Sequence, residues 1–264
     1  MESPKIDYIQ SKDNKTIKHI ISLQQRKYRQ KFGEYTVEGI RAVTDIGKKD
    51  FLRSILIRES KRSELEPLVQ TDLNVSSVYV VQDPIFDKIE HSVNGQGILG
   101  IAKKYVNDLH SFIVEDGLYV ALDGVQDPGN LGTIIRTAVA AGAKGILLLK
   151  GTVDPYNEKC VRSTMSALCN IPIFEDVTLS EFYDFIKDNT IKTYVTSLEN
   201  AKPYHTISYP KRTMIILGNE GNGVSREIIE MCDQAITIPM YGDIESLNVS
   251  IAAALCMYKV REQI

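Results

Sequence analysis

The chain has 264 residues, of which 43% are hydrophobic and 25% charged, an ordinary balance for a globular protein that allows one large α/β domain or two smaller ones. No apolar run approaches the roughly 20 residues that span a bilayer, and the opening MESPKIDYIQ lacks the apolar core of a secretory leader, so a membrane partner is excluded and a cytoplasmic protein is expected. Cys160, Cys169, Cys232 and Cys256 show neither C-x-x-C spacing nor histidines at ligand intervals; they read as buried or partly buried thiols, and no metal is expected.

The net charge of −3 is unevenly spread. Residues 1–104 hold 18 Lys and Arg against 14 Asp and Glu, a net of +4, while the remainder hold 13 against 20, a net of −7. Lys12, Lys15, Lys18, Arg26, Lys27, Arg29 and Lys31 are accompanied only by Asp13. Phosphate binding follows the local field, so Lys12, Lys15, Lys18, Arg26 and Lys27 are candidate RNA contacts on an otherwise acidic protein. A solvated helix face is the plain alternative.

In chain order, residues 14–31 read as a helix with Ile17, Ile20, Ile21 and Leu23 apolar. A strand at Glu34–Val37, a helix from Gly39 to Lys48, and short β-type runs at Ser54–Ile57 and Val78–Val81 follow, the last two separated by a polar segment. NGQGILGI, residues 94–101, is a glycine-rich turn leading into an apolar strand. This alternation gives a small α/β domain over 1–104, and 103–116 reads as a linker or connecting helix. Further on, strand runs at Leu118–Leu122, Gly145–Leu149, Ile171–Phe174, Thr193–Thr196, Thr213–Leu217 and Ala235–Ile238 alternate with helical patterns at Leu131–Ala141, Tyr156–Leu168, Leu179–Lys187 and Ser225–Cys232. A last helix runs from about Leu247 to Glu262. Such alternation implies a parallel sheet covered on both faces, with any site at the strand ends.

Three loops carry candidate chemistry. DGVQDPGNLGTIIRTAVAAGA, residues 123–143, makes a tight turn at Asp127-Pro128-Gly129, places Asn130 as a helix cap, and sets Arg136 within reach of the same helix end. A helix N-terminus with an arginine can hold a phosphate; a capped helix with a surface arginine fits equally well. LGNEGNGVS, residues 217–225, has glycines that let the backbone approach a ligand or take positive φ, with Glu220 among them. Its order is G-x-x-G-x-G after a late strand, which disfavours a nicotinamide site. IPMYGDIESLNVSIAAAL, residues 238–255, leads through Ser246 and Asn248 into an Ala-rich helix, where both read as cap and turn residues when taken alone.

Together, in this order and spacing, DPGNLGTIIRTA, LGNEGNGVS and IPMYGDIESLNVSIAAAL resemble the three motifs of the SpoU/TrmH family of RNA ribose 2′-O-methyltransferases in the SPOUT superfamily. The resemblance covers residues 117–264. A looser likeness, carried by SKDNKTIKHI, VEGIRAV and QGILGIA, links 1–104 to the ribosomal-protein-like RNA-binding domain that precedes the catalytic domain in many members. It implies a catalytic domain with a C-terminal trefoil knot, against the general avoidance of knots, and a homodimer formed through that domain. It also implies S-adenosylmethionine held by Gly218, Ile238 and Leu247, with Leu217, Met240, Thr196 and Ser197 as neighbours. The family's polar active-site residues fall on Asn130, Arg136, Glu220, Ser246 and Asn248. A sulfonium methyl is already electrophilic, so what remains is to align a 2′-oxygen and ease loss of its proton. Arginine is a permanent cation, so Arg136 suits a phosphate-holding, charge-stabilising role better than that of a base.

The implied activity is 2′-O-methylation of RNA, with the extra N-terminal domain pointing to ribosomal RNA by family analogy. The alternatives are a transfer-RNA ribose methyltransferase and an RNA-binding or ribosome-assembly factor without useful catalysis. Binding of S-adenosylmethionine separates the second of these from an enzyme.

Overall fold

The computed structural model describes residues 5–73, 75–92 and 94–264. Chain contacts divide it into two compact units: residues 1–105 with 156–169, and residues 106–155 with 170–264. The sequence expectation of a continuous second domain from 117 differs in one segment, since 156–169 groups with the first unit.

The first unit contains β1 (Lys5–Ile9), α1 (Lys15–Ser22), α2 (Arg26–Phe32), β2 (Glu34–Glu38), α3 (Ile40–Gly47), β3 (Leu52–Arg58), α4 (Arg62–Asp72), β4 (Ser77–Val81), α5 (Asp83–Phe86) and β5 (Ile98–Lys103). Its five-stranded sheet has the order β1-β4-β3-β5-β2, parallel at β1/β4 and β3/β4 and antiparallel at β3/β5 and β2/β5. Ile17, Ile20 and Leu23, one face of a 3.6-residue period, join Ile9, Leu56, Val81, Phe86 and Leu99 in the core.

The single helix expected over 14–31 is two helices. Asn14 caps α1 by accepting from Thr16 N at 2.8 Å, and the chain then turns at 23–25. Arg29, counted among the basic excess, is only 3% exposed, and its Nη1 donates to the carbonyls of Leu23 and Gln24 at 2.7 Å each. It therefore pins the turn. The polar segment after β3 contains α4, which the sequence reading missed. Of its described side chains only Leu65 and Val69 are buried, one i,i+4 pair, and Pro67 between them reads as a breaker. The segment 103–116 holds no helix beyond the end of β5.

The second unit contains β6 (Gly117–Asp123), α6 (Pro128–Ala140) and β7 (Gly145–Leu149); α7 (Glu158–Thr164) lies in the first unit. The chain then returns through β8 (Ile173–Val177), α8 (Leu179–Asp188), β9 (Lys192–Thr196), the two-residue β10 (Lys202–Pro203), β11 (Arg212–Gly218), α9 (Arg226–Met231), β12 (Gln234–Thr237) and α10 (Val249–Arg261). The seven-stranded sheet runs β10-β12-β9-β11-β6-β7-β8, and every pairing is parallel. Every residue of β7, and all but one terminal residue of β6 and of β11, is buried, which is why these strands read as unbroken apolar runs. The register pairs Gly218 with Asp123, Ile216 with Val195, and Ile236 with Thr196. The loops leaving β6, β9, β11 and β12 thus open on one sheet edge.

Burial of the thiols matches the sequence reading: Cys160 and Cys256 are buried, Cys169 and Cys232 half-buried, and burial pushes Cys232 and Cys256 up to about 12. Among the described residues no helix is long and apolar enough to cross a membrane.

Arg29→Ala leaves two carbonyls without their charged donor and is expected to lower stability by about 2 kcal/mol in urea unfolding of the full chain, whereas exposed Lys15→Gln should shift it by less than about 0.5 kcal/mol. Equal effects of the two changes would show that Arg29 does not pin the turn.

Candidate active site

The first motif loop leaves β6 at Asp123. Asp127, not Asn130, caps α6: its carboxylate accepts from Asn130 N at 2.8 Å, and Pro128 occupies the first helical turn. The expected tight turn at Asp127-Pro128-Gly129 is therefore the start of the helix itself. Pro suits that position because its missing N–H has no intrahelical role there. With its backbone inside the helix, Asn130 is free to use its side chain elsewhere.

That side chain links the other two motifs. Asn130 Nδ2 donates to Glu220 Oε1 at 3.0 Å, and Asn130 Oδ1 accepts from Asn248 Nδ2 at 3.0 Å. Glu220 also accepts from the backbone of Gln126 at 3.2 Å and Asp127 at 3.3 Å. Asn248 is at the same time the cap of α10, its Oδ1 accepting from Ser250 N at 2.8 Å and Ser250 Oγ at 2.6 Å. Asn248 thus caps α10 with one atom of its amide and reaches Asn130 with the other.

The Glu220 loop is held by its own backbone. Asn219 and Gly223 exchange two hydrogen bonds of 2.9 Å, with Gly223 at φ +70°, where an L side chain is strained. Asn219 Oδ1 accepts from Gly221 N and Asn222 N, its Nδ2 donates to Gly124 O at 2.8 Å, and Asp123 Oδ2 accepts from Ser225 N at 2.7 Å. Sequence reasoning missed Asn219 and Asp123; the signal was the position of Asn219 directly before Glu220. A Cβ at Gly218 would collide with the backbone of Gly223 and Val224. The close approach that needs this glycine is therefore made at least by its own loop.

Partial burial works to raise the Glu220 pKa, but hydrogen bonds from Asn130 and from the backbone N–H groups of its own residue, Gln126 and Asp127 outweigh it, leaving the carboxyl below its ordinary value. Glu220 is thus an anion at neutral pH. Any stability it adds is present above the ordinary carboxylate range and lost as pH falls through the lowered value.

The remaining expected residues are placed differently. Arg136 is exposed farther along α6, and Ser246 is exposed before α10; neither side chain makes a hydrogen bond or ion pair among the described residues. Ile238, Met240 and Leu247 line an open cavity of ≈ 360 Å³, together with Pro239, Tyr204, His205, Tyr241 and Leu255. Leu217 and Gly218 are buried at the end of β11, and Thr196 Oγ1 donates to Ile216 O at 3.2 Å. Ser197 N donates to Ile236 O at 3.0 Å. These four share the sheet edge but do not line the cavity. Tyr204 and His205 were missed because they follow β10, a strand of two residues with no periodicity to read.

A parallel sheet whose late strand ends are tied together by three polar loops defines an α/β enzyme with its site on the strand-end edge. Residues 117–258 match the SpoU rRNA Methylase family, and the chain belongs to that family. Residues 14–100 match the MRM3-like substrate binding domain. The chain is 33% identical over 261 residues to the 23S rRNA (guanosine(2553)-2'-O)-methyltransferase RlmP of Bacillus subtilis, which spans 96% of this chain and 98% of that protein. It is also similar to the AdoMet-bound rRNA methyltransferase of Sinorhizobium meliloti, with a TM-score of 0.85 and 30% identity over 97% of this chain and 98% of that one. The SpoU methyltransferase AviRb of Streptomyces viridochromogenes gives a TM-score of 0.82 at 25% identity, over 95% and 97%. The family expected from the three motifs is the one found.

Asn130→Ala removes one of the bonds that hold Glu220 ionised, so the Glu220 carboxyl should titrate at a higher pH in NMR of the variant. An unmoved titration would show that Asn130 does not hold the carboxylate.

Proposed function

We propose that this chain transfers the methyl group of S-adenosylmethionine to a ribose 2′-hydroxyl of ribosomal RNA. The observation that carries the reading is the Glu220–Asn130–Asn248 line, which joins all three motif loops on the strand-end edge. The relatives' activities support it.

S-adenosylmethionine fits the cavity beside this edge. Its ≈ 360 Å³ falls within the ~300–1,000 Å³ usual for small-molecule sites, and Ile238, Met240, Leu247 and Leu255 supply apolar walls next to strand-end backbone. When bound, the cofactor supplies an electrophilic methyl on a sulfonium. Ile238, Met240 and Leu247 would hold it, with Leu217, Gly218, Thr196 and Ser197 shaping the edge behind.

The chain's own residues then do the positioning. Arg136, exposed and with no internal partner among the described residues, holds the phosphate beside the target ribose and stabilises negative charge growing on the 2′-oxygen. Glu220 fixes the Asn130 amide from one side and Asn248 from the other, so Asn130 meets the ribose in one orientation. Ser246 lies open to solvent on the same loop as Asn248 and is available to the RNA.

Residues 1–104 act in this reading as the RNA-binding domain and 117–264 as the catalytic domain, with its C-terminal chain knotted. Lys12, Lys15, Lys18 and Lys27 are exposed and Arg26 is half-buried, as a phosphate-contacting surface requires. The working unit is a cytoplasmic homodimer. On α10, Ser250, Ala253, Met257 and Val260 are buried within the unit, while Ile251, Leu255 and Tyr258 form a second stripe, 51%, 38% and 49% exposed, that a two-fold partner would cover.

Arg136→Ala should abolish methyl transfer to rRNA while leaving calorimetric S-adenosylmethionine affinity nearly unchanged. Retained turnover would remove Arg136 from the mechanism. Replacing Lys12, Lys15, Lys18, Arg26 and Lys27 by Gln should weaken RNA binding and flatten its salt dependence without altering cofactor affinity; an unchanged salt slope would return that surface to a solvated face.

A further inference from the structure

The first unit contains a cavity of ≈ 270 Å³ that the methyl-transfer site does not use. Its walls are the β2–α3 junction, residues 92 and 94–96, and α7. Arg41 on α3 and Arg162 on α7 line it, as do Glu38, Glu90, Asn94 and Gln96.

The wall from α7 is fastened to this unit. The Tyr156 and Tyr35 rings pack with centroids 4.9 Å apart, and Lys49 Nζ donates to Cys169 O at 3.0 Å. After α7 the chain passes through Met165 at φ +49° and Ser166 at φ +70°, two successive non-glycine residues in the left-handed region. Ser166 Oγ secures the turn by donating to Asp45 Oδ2 at 2.7 Å, and Asp45 in turn faces Arg41 Nε at 3.7 Å. Backbone held in such conformations by its surroundings is concentrated at binding sites.

The polar groups divide by whether they are already committed. Glu38 accepts from His91 N at 2.9 Å, Ser92 N at 3.1 Å and Ser92 Oγ at 2.5 Å. Glu90 is paired with Arg58 Nη2 at 2.7 Å and accepts from Gly97 N at 3.0 Å. Glu90 is paired with a cation, and both Glu38 oxygens are occupied by donors of residues 91 and 92. Arg162 makes no ion pair among the described residues, and Arg41 has one long contact. Gln96 Oε1 accepts from Ile40 N at 2.8 Å, which leaves its Nε2 to donate to a ligand; Asn94 makes no hydrogen bond among the described residues. The cavity thus offers two guanidinium groups and two amides.

We propose that this cavity takes one unstacked nucleotide of a single-stranded RNA segment, with its phosphodiester on Arg41 and Arg162 and its base edge on Gln96 and Asn94. Guanidinium forks match phosphate, and single-stranded bases splayed from their stack expose edges to amide groups. The volume, just below the ~300 Å³ lower end for small-molecule sites, suits one nucleotide and not a duplex. This rests on the reading of the chain as an RNA methyltransferase. The methylated nucleotide is assigned above to the motif loops, so the one proposed here is a second nucleotide of the same RNA.

The test uses the full chain, rRNA from cells lacking the protein, and the same RNA carrying 4-thiouridine for photocrosslinking. In Arg41→Ala/Arg162→Ala, KM for RNA should rise about tenfold with kcat and S-adenosylmethionine affinity unchanged, and crosslinks to residues 158–166 seen in the unaltered protein should disappear. Arg162→Lys, which keeps the charge without the planar fork, should fall between. A KM within twofold of the unaltered protein, absence of crosslinks to 158–166, or equal competition by duplex RNA would each overturn the proposal. Absence of methyl transfer by the unaltered protein would instead count against the enzymatic reading, with the crosslink still deciding whether the cavity holds RNA.

Discussion

The site depends on a line of three side chains, Glu220, Asn130 and Asn248, joined by two hydrogen bonds of 3.0 Å. They come from loops separated by about 90 and 118 residues of chain, so the line exists only when the folded sheet brings those loops together. The asparagine amide between them makes the arrangement possible, because it donates with one atom and accepts with the other. An aspartate at 130 would put two carboxylates together, and a leucine would leave the charge of Glu220 dependent on backbone N–H groups alone. Asp127 contributes by taking over the cap of α6, which releases the Asn130 side chain for this task.

The sheet below makes the line reachable. β6 and β11 are neighbours in register, so the Asp123 and Gly218 ends lie side by side, and Asn219 stitches the two loops together through Gly124 O. Gly218 belongs to that stitching: its missing Cβ is the space into which Gly223 and Val224 fold. A loop closed this tightly onto itself presents Glu220 in one pose, with its charge stabilised before any substrate arrives. The first unit has a comparable economy of charge. Acidic groups around its cavity are engaged by neighbouring donors, while the Arg162 and Asn94 side chains have no partner among the described residues.

Much of this was legible in the residues. The buried strands of the second unit read as apolar runs because both faces are covered, and its longer helices read by period. The helices that were misread failed for physical reasons. α4 has two buried anchors and an internal proline, and the break between α1 and α2 depends on Arg29, whose charge suggested a surface position while its 3% exposure makes it a core staple. β10 pairs over two residues and has too little length to carry any pattern.

The sequence by itself determined the family, the three motif loops and the residue types in them, because those loops are short contiguous stretches whose spacing survives on the page. Only the tertiary structure decided which atoms meet. It assigned the cap to Asp127 and the bridging amide to Asn130, set Gly218 against Gly223 and Val224, separated Leu217, Thr196 and Ser197 from the cavity that Ile238, Met240 and Leu247 line, and carried residues 156–169 to the first unit. The physical reason is that a hydrogen bond of about 3 Å between residues 118 apart depends on sheet register and loop closure, and both are properties of the packed chain as a whole.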